Sequence, residues 1–349
     1  MGKLSMGLGD WRRVTRAAAD LARWETHSIR PLASSLAASP PIPSGYHHDM
    51  AETNQTDKLP ESPTTTRRPR AIVLGAGDRE HVRSQAARLT PQIQQHADVL
   101  LVDLEFTEEL GGVEADFAVV LGGDGSILRA GRQMGTNQIP VIGVNLGKLG
   151  FLAALSPDEF VAVLPDLCAG RFEMVEHLML TCVLERNGRE VASVLGLNEV
   201  AVLAGPPFSM LNVDLYVDGK LATTYSCDGL IISTPIGSTA HSLSAGGPIL
   251  RKNLQAFVIS PVSPHTLTVR PVVDTAERIY EMVVPQPNDG TSVVVDGRVL
   301  DQVQPNDRVR VERAAARFKM IEVPNHDYYR TLRDKLGWAG NLRMETDRR

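Results

Sequence analysis

The sequence predicts an α/β plus mainly β chain, with a parallel-sheet domain first, a mostly antiparallel β domain second and a helix closing it. Three observations carry that reading. Between Arg70 and Gly147 short apolar runs alternate with helical stretches, the pattern of a parallel sheet crossed by helices. After about residue 172 the period becomes strand-like and is punctuated by Asn187-Gly188, Asp218-Gly219 and Asp296-Gly297, the dipeptides of two-residue hairpins. The glycines concentrate in two stretches, 122–150 and 229–247, where backbone rather than side chain must meet a neighbour.

Taken in order, residues 1–69 are rich in Ser, Thr and Pro, with little apolar periodicity after Leu36, and read as a disordered tail. Residues 10–33 fit a short amphipathic helix with five arginines, but Asp10, Asp20 and Glu25 argue against a transit peptide. Met50 opens MAETNQ as an alternative start, which would leave the first 49 residues as an upstream extension. The α/β domain is expected over 70–155: strand AIVLG (71–75), a helix from Asp78 to His96, and strands VLLVD (99–103), FAVVL (117–121) and PVIGV (140–144). The β-rich domain is expected over 156–323. It opens with a helix that Ser156 and Glu159 cap as a box, Pro157 starts and Gly170 stops. LMLTCVLER and REVASVLGL then form a hairpin around Asn187-Gly188. The last unit, 324–349, holds the helix DYYRTLRDKLGW, with Tyr328, Tyr329 and Trp338 as its expected docking residues.

The chain has 349 residues, 43% hydrophobic and 22% charged, which suits a globular protein of about two domains. Its formal charge is -5: residues 1–70 carry 10 basic and 7 acidic side chains, so residues 71–349 carry -8. An acidic folded part without a basic tract argues against a nucleic-acid partner. Cys168, Cys182 and Cys227 have neither zinc-ribbon spacing nor an even count, which fits a reducing, cytoplasmic setting. No apolar run is long enough for a membrane-spanning helix, and no membrane partner is expected.

The first chemical signal is Gly122-Gly123-Asp124-Gly125-Ser126, between the strand FAVVL and the helical ILRAGRQM. A strand-to-helix turn gathers exposed amides and the positive helix end, and glycines let a phosphate chain reach the backbone. Asp124 is out of place in such an anion site unless it serves a hydroxyl or a magnesium ion; the bland reading is a tight turn carrying an Asp cap. Arg129, one turn on, is a candidate phosphate contact or an ordinary surface arginine. There is no GxxxxGK[ST], and GAGDREH lacks the third glycine of a dinucleotide fingerprint. Turns of the GGDG type resemble those of phosphofructokinases, of diacylglycerol and sphingosine kinases, and of NAD kinases.

The second signal chooses among them. Asp228 opens DGLIISTPIGSTAHSLSAGGP, a strand running into a turn of small and hydroxyl-bearing residues that fills a core poorly and suits close approach of a ligand. The segment resembles the NAD kinase motif DGxIxxTPTGSTAYxLSAGGP, and GGDG, NLGKLGFL (145–152), LNEVAV (197–202), ISPVSPHTLTVRP (259–271) and LRDKLGWAG (332–340) resemble the same family in the same order. The resemblance covers about residues 70–340. It implies phosphorylation of the adenosine-ribose 2′-hydroxyl of NAD to give NADP, from ATP or polyphosphate, with Mg²⁺ or another divalent cation. Asp124 is then the proton acceptor, with Gly122, Gly123 and Gly125 lining its turn and Arg129 beside it. Asn198 and Glu199 correspond to the pair that holds ribose hydroxyls and adenine, and an amide beside a carboxylate suits a vicinal diol. Asp228, Thr239, Ala240, His241, Ser242, Leu243 and Ser244 correspond to positions lining the dinucleotide site, and Arg298 to a further candidate contact.

The sequence departs from the family at His241, where Tyr is usual, at Ile236 for Thr, at Ser126 for Thr or Asn, and at Arg298 for Gln. An imidazole in place of a phenol can still stack on a base; Ile236 removes a hydroxyl. A catalytically silent NAD(P) sensor and a lipid kinase of the diacylglycerol type are the competing readings. Retention of Asp124 argues against the first, and the absence of a basic amphipathic face against the second. His265 has no second ligand at metal spacing and reads as structural, so no protein metal site is assigned. By resemblance the closing helix returns to the first domain, and the chain is a homodimer or homotetramer whose neighbouring β domains help build the dinucleotide site.

Overall fold

The computed structural model describes residues 67–147, 150–153, 155–206, 210–266, 268–323 and 328–337. The expectations for residues 1–66, Met50 and the helix at 10–33 included, lie outside the described residues, as does Trp338. Arg67 and Arg68, assigned to the tail by the sequence reading, are tied to the first sheet and its helix. Arg67 makes a paired contact with Asp116 (2.7 and 2.8 Å), and Arg68 donates to the Gln94 carbonyl (2.7 Å).

The first part is a parallel sheet of β1 (Arg70–Gly75), β2 (Asp98–Asp103), β3 (Phe117–Leu121) and β4 (Val141–Val144), in the order β2-β1-β3-β4. The sheet is covered on both faces, and its side chains sort with period two. Ala71, Val73, Phe117 and Val119 pack under α1 (Glu80–His96) and α3 (Pro157–Cys168); Ile72, Leu74, Ala118 and Val120 pack under α2 (Asp124–Met134). Helix α1 starts two residues later than expected and buries Val82, Ala86, Leu89 and Ile93 along one face. Helix α3 has the expected capping box, and Gly170 stops it at φ 73°. Its Phe160, Leu164 and Leu167 enter the core under the parallel sheet.

The rest is strand. β5 (Glu173–Arg186), β6 (Arg189–Gly196), β8 (Leu211–Val217), β9 (Lys220–Cys227), β13 (Tyr280–Val283) and β16 (Arg308–Glu322) extend the first sheet to ten strands. A second sheet runs β12 (Val272–Thr275), β11 (Ala256–Val262), β10 (Gly229–Ser233), β7 (Glu199–Leu203), β14 (Ser292–Val295), β15 (Arg298–Gln302), and all its pairs are antiparallel. The two sheets enclose a core that includes Leu180, Val202, Val213, Ile232, Phe257 and Tyr280. All three predicted hairpins form, with left-handed φ at Asn187 (53°) and Gly188 (72°), Asp218 (49°) and Gly219 (73°), and Asp296 (47°) and Gly297 (74°).

β16 joins the two parts. Its Val309 and Val311 lie in the core between the sheets, while Phe318 and Met320 lie under α2, and Met320 pairs with Val141 of β4 in parallel. The closing helix α5 (Tyr328–Leu336) docks through Leu332, 1% exposed, and sets Lys335 over the Phe151 ring at 5.1 Å. Tyr329, one of the aromatics expected to dock it, is half exposed. Leu332 suits that role better because it sits on the face that turns toward Phe151, three residues before Lys335.

Candidate active site

The chain leaves β3 at Leu121 and turns through Gly122, whose φ of 142° favours glycine; a Cβ there would lie 2.2 Å from the Ser126 hydroxyl. Gly123 caps α2 and Asp124 is its first residue, with Gly125 exposed beside it. The Asp124 carboxylate accepts three backbone N–H groups from the segment after β4: Phe151 to Oδ2 (2.8 Å), and Leu152 and Ala153 to Oδ1 (2.9 and 3.1 Å). Gly150 makes this possible, since a Cβ on it would stand 2.1 Å from Oδ1. With two donors on Oδ1 and one on Oδ2, the carboxylate keeps an acceptor position on Oδ2. Arg129 lies over the Phe106 ring at 4.5 Å and donates to the Glu105 carbonyl (3.2 Å), which ties it to the connection between β2 and β3.

A second turn follows β10. Thr234 bonds the Leu197 carbonyl through its hydroxyl (2.6 Å) and the Asn198 carbonyl through its amide (2.8 Å). A 3-10 turn over Gly237–Thr239 and helix α4 (His241–Ser244) complete it. The small residues, expected to admit a ligand, serve chain-to-chain contact as well. A Cβ on Gly237 would lie 2.1 Å from the Asn198 carbonyl oxygen, and one on Gly247 2.3 Å from the Ser242 hydroxyl. Ser242 is fully buried, its hydroxyl sharing a bond with that of Ser260 (3.0 Å). Thr239, Ala240, His241 and Leu243 are half-buried and Ser244 is exposed. Ile236, the apolar departure from the family pattern, is buried with Ile127, Leu152, Ala153 and Leu197, so the Asp124 loop and the second turn rest on one core.

Glu199 begins β7 on the same turn. It is 6% exposed and receives the His241 backbone N–H, and its Oε2 is buried with no partner among the described residues. Behind it Asp296 accepts N–H groups from Leu197 (2.9 Å), Asn198 (2.7 Å) and Glu199 (3.2 Å). Burial raises both carboxyl pKa values, and the Asp296 charge raises that of Glu199 further, to about 8. Three donors against one place the charge on Asp296 and the shared proton on Glu199. Arg132 of α2 lies within charge-coupling range of Asp296: burial and the neighbouring Arg298 and Arg129 lower its pKa, and Asp296 opposes them.

The described chain thus brings Asn198, Glu199 and the 239–244 turn together and sets Asp124 on the shared core. Asp228 is placed apart. It precedes β10 while the turn follows it, roughly 20 Å along an extended strand, and it faces His265 at 3.5 Å. Arg298 is exposed on the β14–β15 hairpin. Sequence reasoning missed Gly150, Asp296 and Arg132. NLGKLGFL signalled Gly150 only as part of a motif, Asp296 read as a turn residue, and Arg132 carried no signal.

Comparison with known proteins agrees with the resemblance read from the motifs. Residues 53–172 match the family model of the ATP-NAD kinase N-terminal domain and residues 197–323 that of the C-terminal domain. An NAD kinase of Rhodopirellula baltica is 56% identical over 278 residues, 80% of this chain and 89% of that one. One of Geobacter sulfurreducens is 39% identical, covering 73% and 93%. An Archaeoglobus fulgidus NAD kinase solved in complex with ATP superposes with a TM-score of 0.62 at 30% identity, over 78% of this chain and all of that one. Yeast NADH kinase, solved with NADH, shares the fold with a TM-score of 0.73 at 21% identity, over 80% and 91%. These matches favour NAD kinases over the lipid-kinase alternative. With a glycine turn carrying a fixed aspartate, an Asn-Glu pair bonded to the second turn and relatives of this closeness, the chain belongs to the NAD kinase family.

Proposed function

We infer that the chain transfers the γ-phosphoryl group of ATP to the 2′-hydroxyl of the adenosine ribose of NAD, giving NADP and ADP. The observation that carries this reading is the fixing of Asp124 by three N–H groups, with one acceptor position left on Oδ2 at the start of a helix. In that role Oδ2 takes the hydroxyl proton as the ribose oxygen attacks the γ-phosphorus. The bond from phosphorus to the bridging oxygen breaks, and ADP leaves with that electron pair. Phosphoryl transfer asks mainly for position and charge neutralisation, so one well-aimed carboxylate is enough from the protein's acids.

The buried Oε2 of Glu199, without a partner among the described residues, supports a hydrogen-bond partner from the ligand, and a ribose hydroxyl, which both donates and accepts, supplies one. Asn198 holds the same ribose, and Thr239, Ala240, His241, Leu243 and Ser244 line the dinucleotide, Ser242 through its backbone. Gly122, Gly123 and Gly125 admit the donor's phosphates, with Arg129 beside them. No cluster of three or more His, Cys, Asp or Glu side chains suited to a metal ion exists among the described residues. A Mg²⁺ carried on the phosphates of ATP would neutralise charge on the transferred group. The position of Asp228 favours a homo-oligomer in which Asp228 of one copy serves the dinucleotide of another, while Arg298, two residues from Asp296, stays beside the Asn198–Glu199 pair of its own copy. No helix among the described residues is long and apolar enough to cross a membrane. The three free cysteines suit a reducing, cytoplasmic setting.

The test is NADP formation by the full chain from NAD and ATP with Mg²⁺, beside Asp124→Asn. Activity lost in the variant is the expected result. An unaltered rate in Asp124→Asn, or no NADP from the wild type with ATP or polyphosphate, would sink the reading.

A further inference from the structure

Lys252 lies in the connection between α4 and β11, far in sequence from the glycine turn, and carries no motif. Its Nζ donates to the Phe151 carbonyl at 2.9 Å. That carbonyl and the Leu152 N–H are the two ends of one planar peptide, and the Leu152 N–H donates to Asp124 Oδ1 at 2.9 Å. The chain of contacts therefore runs from ammonium to peptide to carboxylate. A charged donor on a carbonyl polarises the peptide and strengthens the bond its N–H gives.

We propose that Lys252 is a positioning residue for phosphoryl transfer, holding the Phe151–Leu152 peptide in the orientation that aims Asp124. The proposal rests on the reading of Asp124 as the proton acceptor. Three further features fit it. Residues 150–153 belong to no strand or helix, so no ladder fixes that peptide. A cavity of about 60 Å³, lined by Ile142, Gly143, Phe151, Leu152 and Glu322 among others, lies beside Lys252, and on that flank packing does not lock the loop. The Lys252 backbone is itself anchored, its carbonyl facing Nδ1 of His177 at 3.3 Å. A carbonyl only accepts, so the His177 proton sits on Nδ1. The position also carries a penalty: burial lowers the Lys252 pKa, while Glu322 and Asp124 support the charge. A stem of this length kept there for packing alone would be better served by methionine.

The experiment measures kcat, both KM values and the melting temperature for Lys252→Met and Lys252→Arg beside Asp124→Asn, in the full chain. Lys252→Met is expected to lower kcat about tenfold with both KM values within about twofold and no loss of melting temperature. Lys252→Arg, which keeps the charged donor and has the cavity to take its volume, is expected to recover most of kcat. Wild-type kcat in Lys252→Met, a loss that appears in KM instead, or an arginine variant as slow as the methionine one overturns the proposal. Should Lys252→Met not fold, Lys252→Gln decides: a lowered kcat supports the role of the charge and a wild-type kcat overturns it. A fully active Asp124→Asn removes the parent reading as well; an inactive Asp124→Asn beside a wild-type Lys252→Met removes only this one.

Discussion

Asp124 and Glu199 are both carboxyls at the ends of central strands, and the chain treats them in opposite ways. Asp124 ends the β3 side of its turn with three backbone donors on its oxygens. Glu199 opens β7 with one backbone donor, a buried oxygen without a partner among the described residues and a neighbouring acid that pushes its pKa up. The α/β half spends its amides on aiming a charge, whereas the β half leaves a buried polar oxygen unsatisfied, at a cost in stability that a ligand can relieve. One carboxyl suits proton transfer and the other suits recognition.

The largest effects should come from breaking the first arrangement. Asp124→Asn is expected to lower kcat by about 10³-fold, within the range of a general base, because the amide loses basicity and turns N–H groups toward donors. Gly150→Ala is expected to cost about 10²-fold in kcat, the scale of a displaced reacting group. Its Cβ would occupy space 2.1 Å from Asp124 Oδ1, and that oxygen cannot yield without giving up the Leu152 and Ala153 bonds. Steady-state NADP formation reads both. A Gly150→Ala enzyme with wild-type kcat would mean that the three-donor arrangement is incidental to the reaction.

Much of this was legible in the sequence, and the boundary of legibility has a physical cause. Hairpins, the capping box of α3 and both glycine turns depend on residues close together in the chain, and their dipeptides and spacings announce them. Asp124 and Glu199 were named because motifs carry them. Gly150 and Asp296 act on residues 26 and 97 positions away, through contacts that only the closed sheets create. Ile236 reads as a lost ligand contact until its burial beside Leu152 and Leu197 shows it to be core. Asp228 sits within the densest motif, yet β10 carries it to the far end from the turn. Proximity in sequence misled because an extended strand separates its ends by about 3.3 Å per residue.

A smaller effect probes Glu199. Its folded pKa of about 8 lies above the ordinary carboxyl value of 4.5. Between those values the native state holds a proton that the unfolded chain has released, so stability falls as pH rises from about 4.5 to about 8. Glu199→Gln mimics the protonated form and removes that slope. Its melting temperature should exceed the wild type by several degrees at pH 8, about 2–4 °C for each kcal/mol, and match it near pH 4.5. An equal difference at both pH values would show that Glu199 is already ionised in the native protein, and the contrast with Asp124 would fail.

The smallest effect comes from behind Asp124, where His177 supports the Lys252 backbone. His177 is 1% exposed, its Nε2 has no partner among the described residues, and burial brings its pKa from 6.5 down to about 4. Below pH 6.5 the unfolded chain takes up a proton that the native state refuses, so stability falls as pH drops from about 6.5 to about 4. This is the acid-side counterpart of the Glu199 slope, and the two should separate by mutation. His177→Phe keeps the ring volume and removes the titration, at the cost of one weak bond to the Lys252 carbonyl. Its melting temperature should therefore lie slightly below the wild type at pH 7 and draw level or rise above it by pH 5, while the loss toward pH 8 is unchanged. A phenylalanine variant that parallels the wild type from pH 7 to pH 5 would place the proton on native His177. A second cation would then stand beside Lys252, and the charged support of the Phe151–Leu152 peptide would be shared between two groups.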